Sequence, residues 1–184
     1  IYTDFNEAIS EDGYKLFLKK LYEYGFTVIQ NCKTEMSSVE KIAKKIGYVR
    51  ESIFGGLWSF ESNEDKADSA YTQEELRPHT DSTYSNDAPG LQLLLCCHYK
   101  ASGGESIMVD GFKIAEKIKN EKREIYDLLT QIEVTGQYIG DGVFLKAKRP
   151  IFRVNSDNEL IQVSFNNYDR APFKFSEDKT KKFY

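Results

Sequence analysis

Two residues in the segment "RPHTDSTY" (residues 77–84) have the types and the spacing that a metal site requires. His79 precedes Asp81 by two positions, and side chains two positions apart on an extended strand point to the same face. An imidazole and a carboxylate that point into one cavity could hold a divalent metal ion. They could equally form a hydrogen-bonded pair on the surface, and the H-x-D pattern taken alone favours that simpler interpretation.

A His-x-Asp pair together with a distant histidine forms the facial triad of non-haem iron sites, which leaves positions open for a bidentate co-substrate and O₂. The chain has one other histidine, His98, which follows His79 by 19 residues (98 − 79) at the end of an apolar segment. To reach the same metal it would have to fold back from the neighbouring strand. We therefore predict that His98 is a strand-end residue without a ligand role.

Composition excludes several classes of protein. The chain has 184 residues, 40% of them hydrophobic, which suffices for the core of one domain. Its net charge of −4 argues against nucleic-acid binding. No apolar run is long enough for a membrane span, and the first residues do not resemble a signal peptide. Three cysteines without C-x-x-C spacing predict a reduced, intracellular protein without a disulfide framework or zinc site.

Three segments have the apolar periodicity of amphipathic helices. The first helix covers residues 11–24 and is followed by Gly25 as a stop signal. The second helix is "SSVEKIAKKIG" (37–47), with Ser37 or Ser38 as its N-cap. Residues 111–129 predict a third, single helix. The last residues, "SEDKTKKFY", are typical of a helix that is just beginning, and we expect the sequence to be a fragment.

Short apolar or β-branched runs predict the strands. They are "FTVIQNC" (26–32), "LQLLLCCHY" (91–99), "IMVD" (107–110) and two strands within 150–171 joined by the polar turn "NSDNE". Strands outnumber helices after residue 78, which favours a mainly β core, a barrel or sandwich, with helices packed outside. Residues 48–78 are a long, aromatic-rich loop of the kind that is usually functional or disordered.

Six segments, read together, resemble the trimethyllysine dioxygenase and γ-butyrobetaine hydroxylase family of taurine dioxygenase-like Fe(II)/2-oxoglutarate oxygenases. They occur in the family's order and span about two-thirds of the chain. The "AYT", "HTDSTY" and "NNYDRA" motifs are more similar to the trimethyllysine branch. The matching segments are "FGGLWSF" (54–60), "DSAYT" (68–72), "HTDSTY" (79–84), "PGLQLL" (89–94), "GGESIMVDGF" (103–112) and "FNNYDRA" (165–171).

The resemblance implies a fold and a cofactor site. The fold would be a double-stranded β-helix (jelly-roll, cupin-like) core, incomplete at the C-terminus, with residues 1–184 as one partial catalytic domain. His79 and Asp81 would be two of three iron ligands. Ser106 follows His79 by 27 residues (106 − 79) and would hold the distal carboxylate of 2-oxoglutarate, although a serine there could also cap the glycine turn.

A quaternary ammonium donates no hydrogen bonds, so a site selects it with aromatic faces. Trp58 and Tyr71 match the cage positions of the family, and Phe54 stands where the butyrobetaine enzyme has a tyrosine; such clusters can also be ordinary core. Asp68 stands where the butyrobetaine enzyme has asparagine, and an acid there suits the α-ammonium of trimethyllysine, unless Asp68 is merely an exposed loop acid. Asn166 matches a family residue that contacts the carboxylate end of the substrate.

The implied reaction is hydroxylation of Nε-trimethyllysine at its β-carbon, the opening step of carnitine biosynthesis, with Fe(II), 2-oxoglutarate and ascorbate as a reductant. Two alternatives remain open: hydroxylation of γ-butyrobetaine or another trimethylammonium compound such as a phosphonate, and an inactive betaine-binding remnant. We expect the distal histidine and the 2-oxoglutarate-binding arginine beyond residue 184. The expected partner is a small molecule, without nucleic acid or membrane, and we allow for a homodimer. The expected location is cytoplasmic, or mitochondrial in a eukaryote.

Overall fold

The computed structural model describes residues 1–61, 71, 75–100, 102–140 and 142–183. Two compact units divide the chain. The first unit contains Ile1–Ser59 and Leu91–Gly103, and the second contains Phe60–Gly90 and Gly104–Tyr184. In the described ranges no helix is both long and apolar enough to cross a membrane.

Three helices and a short parallel strand pair form the first unit. Strand β1 (Tyr2–Asp4) pairs with β2 (Val28–Gln30), and the helices are α1 (Phe5–Ile9), α2 (Glu11–Tyr24) and α3 (Met36–Ile46). One apolar residue from each helix is buried in a common core, and these residues are Ala8, Phe17 and Ile42. The helices therefore hold this unit together through one apolar face each.

The ends of the first-unit helices test the sequence predictions. Helix α2 is confirmed: the Ser10 side chain caps its N-terminus, and Gly25 ends it in a left-handed conformation with φ of 74°. The predicted N-cap of α3 is wrong, since Glu35 occupies the cap position and neither Ser37 nor Ser38 does. The physical reason is that Glu35 is the last residue with extended backbone angles, which places both serines inside the first turn.

The second unit combines two antiparallel hairpins with helices. Its core is made by a buried alanine and tyrosine from two consecutive helices and by Ile151 and Phe152. The elements are α4 (Gly111–Glu121), α5 (Arg123–Gln131), β3 (Glu133–Gly140), β4 (Val143–Pro150), β5 (Phe152–Val154), β6 (Leu160–Val163) and α6 (Glu177–Phe183).

The predicted single helix over 111–129 is two helices. The backbone of Lys122 leaves the helical region with φ of −142° and ψ of 63°, and its N–H group donates to the Ile118 carbonyl. The break lets α4 and α5 pack against the same core, where Ala115 and Tyr126 are both buried. Packing of two apolar faces therefore overrides a continuous helical pattern.

Strand predictions were confirmed in two places and wrong in two, and the first confirmed strand is β2 within the predicted segment 26–32. Strands β5 and β6 form the predicted hairpin, whose turn is organised by the Asn155 side chain. Residues 91–99 and 107–110 form no strand, because no described strand pairs with them, and several of their apolar side chains are exposed. The described residues thus contain helices and three two-stranded sheets, and no closed barrel is seen among them.

Candidate metal and substrate site

The side chains of His79 and Asp81 converge, as the spacing predicted. Nε2 of His79 lies 3.2 Å from Oδ1 of Asp81, and the two side chains are 21% and 39% exposed. The segment is a loop rather than a strand, and Ser82 reverses its direction with a positive φ of 55°. The pair therefore lies where the chain turns and where a small molecule can reach both groups.

A backbone carbonyl fixes the orientation of the His79 ring. Nδ1 of His79 lies 2.7 Å from the carbonyl oxygen of Arg77, and a carbonyl can only accept, so Nδ1 carries a proton. In the neutral imidazole the lone pair of Nε2 then faces the carboxylate of Asp81. Two acceptors at this distance repel each other unless a proton or a metal cation lies between them. The contact therefore requires either a proton on Nε2, which makes it an ion pair, or a metal cation bound by both atoms.

The loop that carries the pair is held by a segment far along the chain. The Thr80 N–H donates to the Phe165 carbonyl at 2.7 Å, and the Phe165 N–H donates to the Thr80 hydroxyl at 2.9 Å. Two hydrogen bonds between the same two residues fix both the position and the direction of the loop. Because Thr80 lies between His79 and Asp81, this contact holds the site at its centre.

A close backbone approach supports the same loop from strand β3. A Cβ atom built on Gly136 would lie 2.4 Å from both the carbonyl carbon and the carbonyl oxygen of Thr83. No real side chain makes contacts this short, so only glycine permits this packing. Gly136 also forms an isolated β-bridge with Arg170. The chain after Asp81 therefore rests directly on the main chain of β3.

A small cavity of about 20 Å³ adjoins this contact. Two arginines, Arg149 and Arg170, are among its lining residues, and none of the described lining residues is an aspartate or glutamate. Burial lowers the pKa of both guanidinium groups, and the positive charge of Arg153 adds to the effect at Arg149. Both remain protonated at neutral pH because an arginine titrates far above that range. The described lining residues thus supply two positive charges, and the nearby negative charge of Asp87 acts on Arg149 in the opposite direction.

Asn166, which was predicted to contact a substrate carboxylate, lines this cavity and is 7% exposed. Its amide oxygen accepts the backbone N–H of Tyr168 at 2.8 Å and that of Asp169 at 3.3 Å. Its amide nitrogen donates to the Asp169 carboxylate at 2.9 Å. In this conformation the side chain organises its own turn, and its substrate contact stays a prediction.

The predicted cage residues occur in two aromatic pairs. In the first unit the rings of Phe54 and Trp58 stack with centroids 4.9 Å apart, and Trp58 remains 36% exposed. In the second unit the ring of Tyr71 meets Phe60 edge to face at 6.1 Å. The Trp58 side chain is therefore only partly buried. The joining of these pairs into one cage stays a prediction.

The roles of two further predicted site residues, Ser106 and Asp68, stay predictions. Ser106 is exposed in an irregular segment, directly after two glycines with positive φ, Gly103 and Gly104. Those φ values fit the predicted glycine turn, and the contact of Ser106 with 2-oxoglutarate stays a prediction. Asp68 lies outside the described residues.

Tyr168 is the contact that sequence reasoning missed. Its hydroxyl accepts the Arg77 N–H at 2.9 Å, and its ring meets the His79 imidazole edge to face with centroids 5.8 Å apart. Tyr168 belongs to the "NNYDRA" motif, where Asn166 alone was assigned a role. The motif itself was the available signal, because a tyrosine hydroxyl usually finds a hydrogen-bond partner.

Within the described part of the chain, His79 and Asp81 have no third potential metal ligand beside them, whether histidine, cysteine, aspartate or glutamate. His98 lies in the first unit and is exposed. The described residues thus supply one nitrogen and one oxygen donor to a candidate metal, with further coordination positions left for other donors.

Comparison with known proteins gives consistent matches. The model of the family "Taurine catabolism dioxygenase TauD, TfdA family" matches residues 2–184. The chain is similar to a trimethyllysine dioxygenase of Meyerozyma guilliermondii, with 36% identity over 99% of this chain and 46% of that protein. It is also similar to the mitochondrial trimethyllysine dioxygenase of Homo sapiens, with 33% identity over 88% of this chain and 40% of that protein.

A second group of relatives carries a different name. The chain is 32% identical to a gamma-butyrobetaine dioxygenase of Pseudomonas sp. over 96% of this chain and 47% of that protein. The chain thus spans about half the length, or somewhat less, of the curated relatives that it matches.

Proposed function

Because the chain belongs to the taurine catabolism dioxygenase TauD, TfdA family, we propose that it is part of an Fe(II)/2-oxoglutarate-dependent dioxygenase that hydroxylates Nε-trimethyllysine. The observation that carries the proposal is the convergence of His79 and Asp81, 3.2 Å apart, with Nδ1 of the imidazole held by a carbonyl. That arrangement brings one nitrogen donor and one oxygen donor close enough together to bind the same metal ion.

The separation of these two atoms fits an iron site. Two donors that bind one octahedral ion at right angles, with bonds of about 2.1 Å, lie about 3.0 Å apart. The observed 3.2 Å requires little movement of either side chain. Fe(II) in this position, with 2-oxoglutarate bound, would supply the oxidising power that inserts one oxygen atom of O₂ into a C–H bond while 2-oxoglutarate becomes succinate and CO₂.

The residues of the chain contribute positioning. His79 and Asp81 would hold the metal, and the Thr80–Phe165 hydrogen bonds would keep their loop in place. Ser106 would bind the distal carboxylate of 2-oxoglutarate. A trimethylammonium group held several bonds away from the reacting carbon fixes which C–H bond faces the metal, and such orientation accounts for a large part of catalysis.

We place the trimethylammonium group against Phe54, Trp58 and Tyr71, because aromatic faces are the groups that attract a cation without hydrogen-bond donors. The partly exposed Trp58 supports this placement. The carboxylate end of the substrate would lie toward Asn166. Support comes from the cavity that Asn166 lines, since Arg149 and Arg170 are among its described lining residues.

The remaining parts of the proposal follow from the family. We propose that residues 1–184 are part of one catalytic domain with a jelly-roll core, which the antiparallel hairpins β3–β4 and β5–β6 are compatible with. A mitochondrial location in a eukaryote is supported by the rat and human relatives, which are named mitochondrial. The use of ascorbate, a homodimer and a cytoplasmic location otherwise stay predictions.

A second candidate is the hydroxylation of γ-butyrobetaine or another trimethylammonium compound, such as a phosphonate. The similarity to the Pseudomonas gamma-butyrobetaine dioxygenase favours it. We prefer trimethyllysine because Asp68 supplies a negative charge suited to an α-ammonium group, which γ-butyrobetaine lacks.

The direct test is substrate-dependent turnover. The purified full-length protein, which should include the distal histidine and the arginine expected beyond residue 184, is incubated with Fe(II), 2-oxoglutarate and ascorbate. Trimethyllysine or γ-butyrobetaine is added separately, and succinate is measured. We expect succinate and hydroxytrimethyllysine to form in equal amounts, with faster turnover of trimethyllysine. Faster turnover of γ-butyrobetaine would support the second candidate, and a lack of succinate with every substrate would contradict both.

The specificity argument is tested by Asp68→Asn. Loss of the charge should lower kcat/KM for trimethyllysine by about tenfold, because a charge-assisted hydrogen bond contributes about 1.5–3 kcal/mol. γ-Butyrobetaine carries no α-ammonium and should change little. The measurement is kcat/KM for both substrates in the wild type and the variant. Equal losses of kcat/KM for the two substrates would show that Asp68 does not bind the α-ammonium group.

A further inference from the structure

Both backbone polar groups of Arg77 are engaged at the candidate metal site. The Arg77 N–H donates to the hydroxyl of Tyr168 at 2.9 Å, and the Arg77 carbonyl accepts the Nδ1 proton of His79 at 2.7 Å. The position of the His79 imidazole therefore depends on the position of Arg77, and the position of Arg77 depends on Tyr168.

We propose that Tyr168 is a positioning residue for the metal ligand His79. The proposal rests on the proposed function, since it requires that His79 binds the metal. The partner of the ligand's second nitrogen fixes the orientation and tautomer of a metal-binding histidine, and changes to such outer contacts alter metal affinity. Here that partner is a backbone carbonyl, which is itself held in place by the tyrosine hydroxyl.

The ring of Tyr168 acts on the same imidazole from the side. Its centroid lies 5.8 Å from that of His79, with the planes at 76° to each other. This edge-to-face arrangement is the favourable one for two aromatic rings, and it opposes rotation of the imidazole. Tyr168 thus restrains the ligand at two points, through its ring directly and through its hydroxyl by way of Arg77.

Tyr168 is well placed for this role because its own backbone is fixed. Its N–H donates to the side chain of Asn166 at 2.8 Å, and the preceding Phe165 exchanges two hydrogen bonds with Thr80. Residues 165–168 therefore contact the loop on both sides of His79. A rigid support of this kind is what keeps a ligand within a fraction of an ångström of its productive position.

Tyr168 is 45% exposed, which separates positioning from stability. When the hydroxyl is removed, water can replace it at the exposed Arg77 N–H, so the fold should lose little. Water does not hold Arg77 in one place, however. The loss should therefore appear mainly in the metal site.

The test compares Tyr168→Phe, which keeps the ring and removes the hydroxyl, with the wild type and with Tyr168→Ala, which removes both. Tyr126→Phe is the matched control, since Tyr126 is buried in the core of the same unit, away from the loop. Co(II) is titrated into metal-free protein, its dissociation constant and visible absorption spectrum are recorded, and the melting temperature of each metal-free variant is measured.

We expect Tyr168→Phe to raise the Co(II) dissociation constant by about tenfold and to change the absorption spectrum, with the melting temperature unchanged. Tyr168→Ala should weaken binding further, and Tyr126→Phe should not weaken it. An unchanged dissociation constant in Tyr168→Phe would overturn the inference, as would a loss that only parallels a fall in melting temperature. Wild-type protein that binds no Co(II) would instead overturn the proposed function.

Discussion

Replacement of His79 by alanine should abolish turnover of 2-oxoglutarate and remove most of the affinity for Fe(II). Changes to the outer contacts of a metal ligand commonly cost 10–100-fold, so loss of the ligand itself should cost at least about 100-fold in activity. The fold should tolerate the change, because the side chain lies in a loop, where it contacts Arg77, Asp81 and Tyr168. Succinate formation and metal content after dialysis measure the effect.

His98→Ala provides the matched control, since His98 is the chain's other histidine and is exposed in the first unit. We expect this variant to keep wild-type activity and metal content. If His98→Ala lost iron as severely as His79→Ala, His98 would be a ligand. If His79→Ala retained full activity, the metal would lie elsewhere and the proposed function would be wrong.

Gly136→Ala should be the most damaging single-methyl substitution in the second unit. The added Cβ would lie 2.4 Å from the carbonyl group of Thr83, so either β3 or the loop after Asp81 must move. Overpacking of this kind costs about 3 kcal/mol, which exceeds the gain of up to about 1 kcal/mol that alanine brings over glycine in a strand. Urea denaturation measures the loss of unfolding free energy.

Gly90→Ala is the corresponding control in the same unit, because nothing lies within 4 Å of its Cβ position and its φ is not left-handed. It should change stability by less than about 1 kcal/mol. Gly136→Ala should also lower iron affinity, since the displaced loop carries Asp81. A Gly136→Ala protein as stable and as metal-loaded as the wild type would show that β3 and the loop are not in close contact.

Local patterns predicted the elements whose stability is local. The helix at residues 11–24 has both an N-cap serine and a stop glycine, and it formed where the sequence indicated. The β5–β6 hairpin has a turn that its own asparagine organises. Each of these signals lies within a few residues of the element it specifies, so the sequence alone suffices.

Elements that depend on distant partners were predicted less well. The apolar run at 91–99 has strand composition, but a strand also requires a neighbour to receive its hydrogen bonds, and no described strand provides one. The β3–β4 hairpin was missed, because its strands contain glycine, lysine and arginine instead of a β-branched alternation. Pairing over its whole length, from Glu133–Pro150 to Gly140–Val143, compensates for that composition.

The candidate site also combines residues that local sequence indicates with residues that only distant contacts reveal. His79 and Asp81 were found from their spacing, which is a local property. Their supports, Phe165 and Tyr168, lie 85 and 91 residues from Thr80 and Arg77, and no pattern within the loop indicates them. The close contact of Gly136 with the loop could not be predicted either, since a glycine within a strand does not reveal which backbone approaches it.

The long sequence separations between the loop at residues 77–81 and its partners Phe165 and Tyr168 also determine when the loop becomes ordered during folding. Thr80 and Arg77 contact partners that lie 85 and 91 positions further along the chain, and closing such loops costs entropy that late, cooperative contacts must offset. The ligand loop should therefore become rigid after the hairpins that precede residue 165 have formed. If His79 and Asp81 hold iron as proposed, the ion would then bind to a loop whose supporting contacts with Phe165 and Tyr168 have already formed.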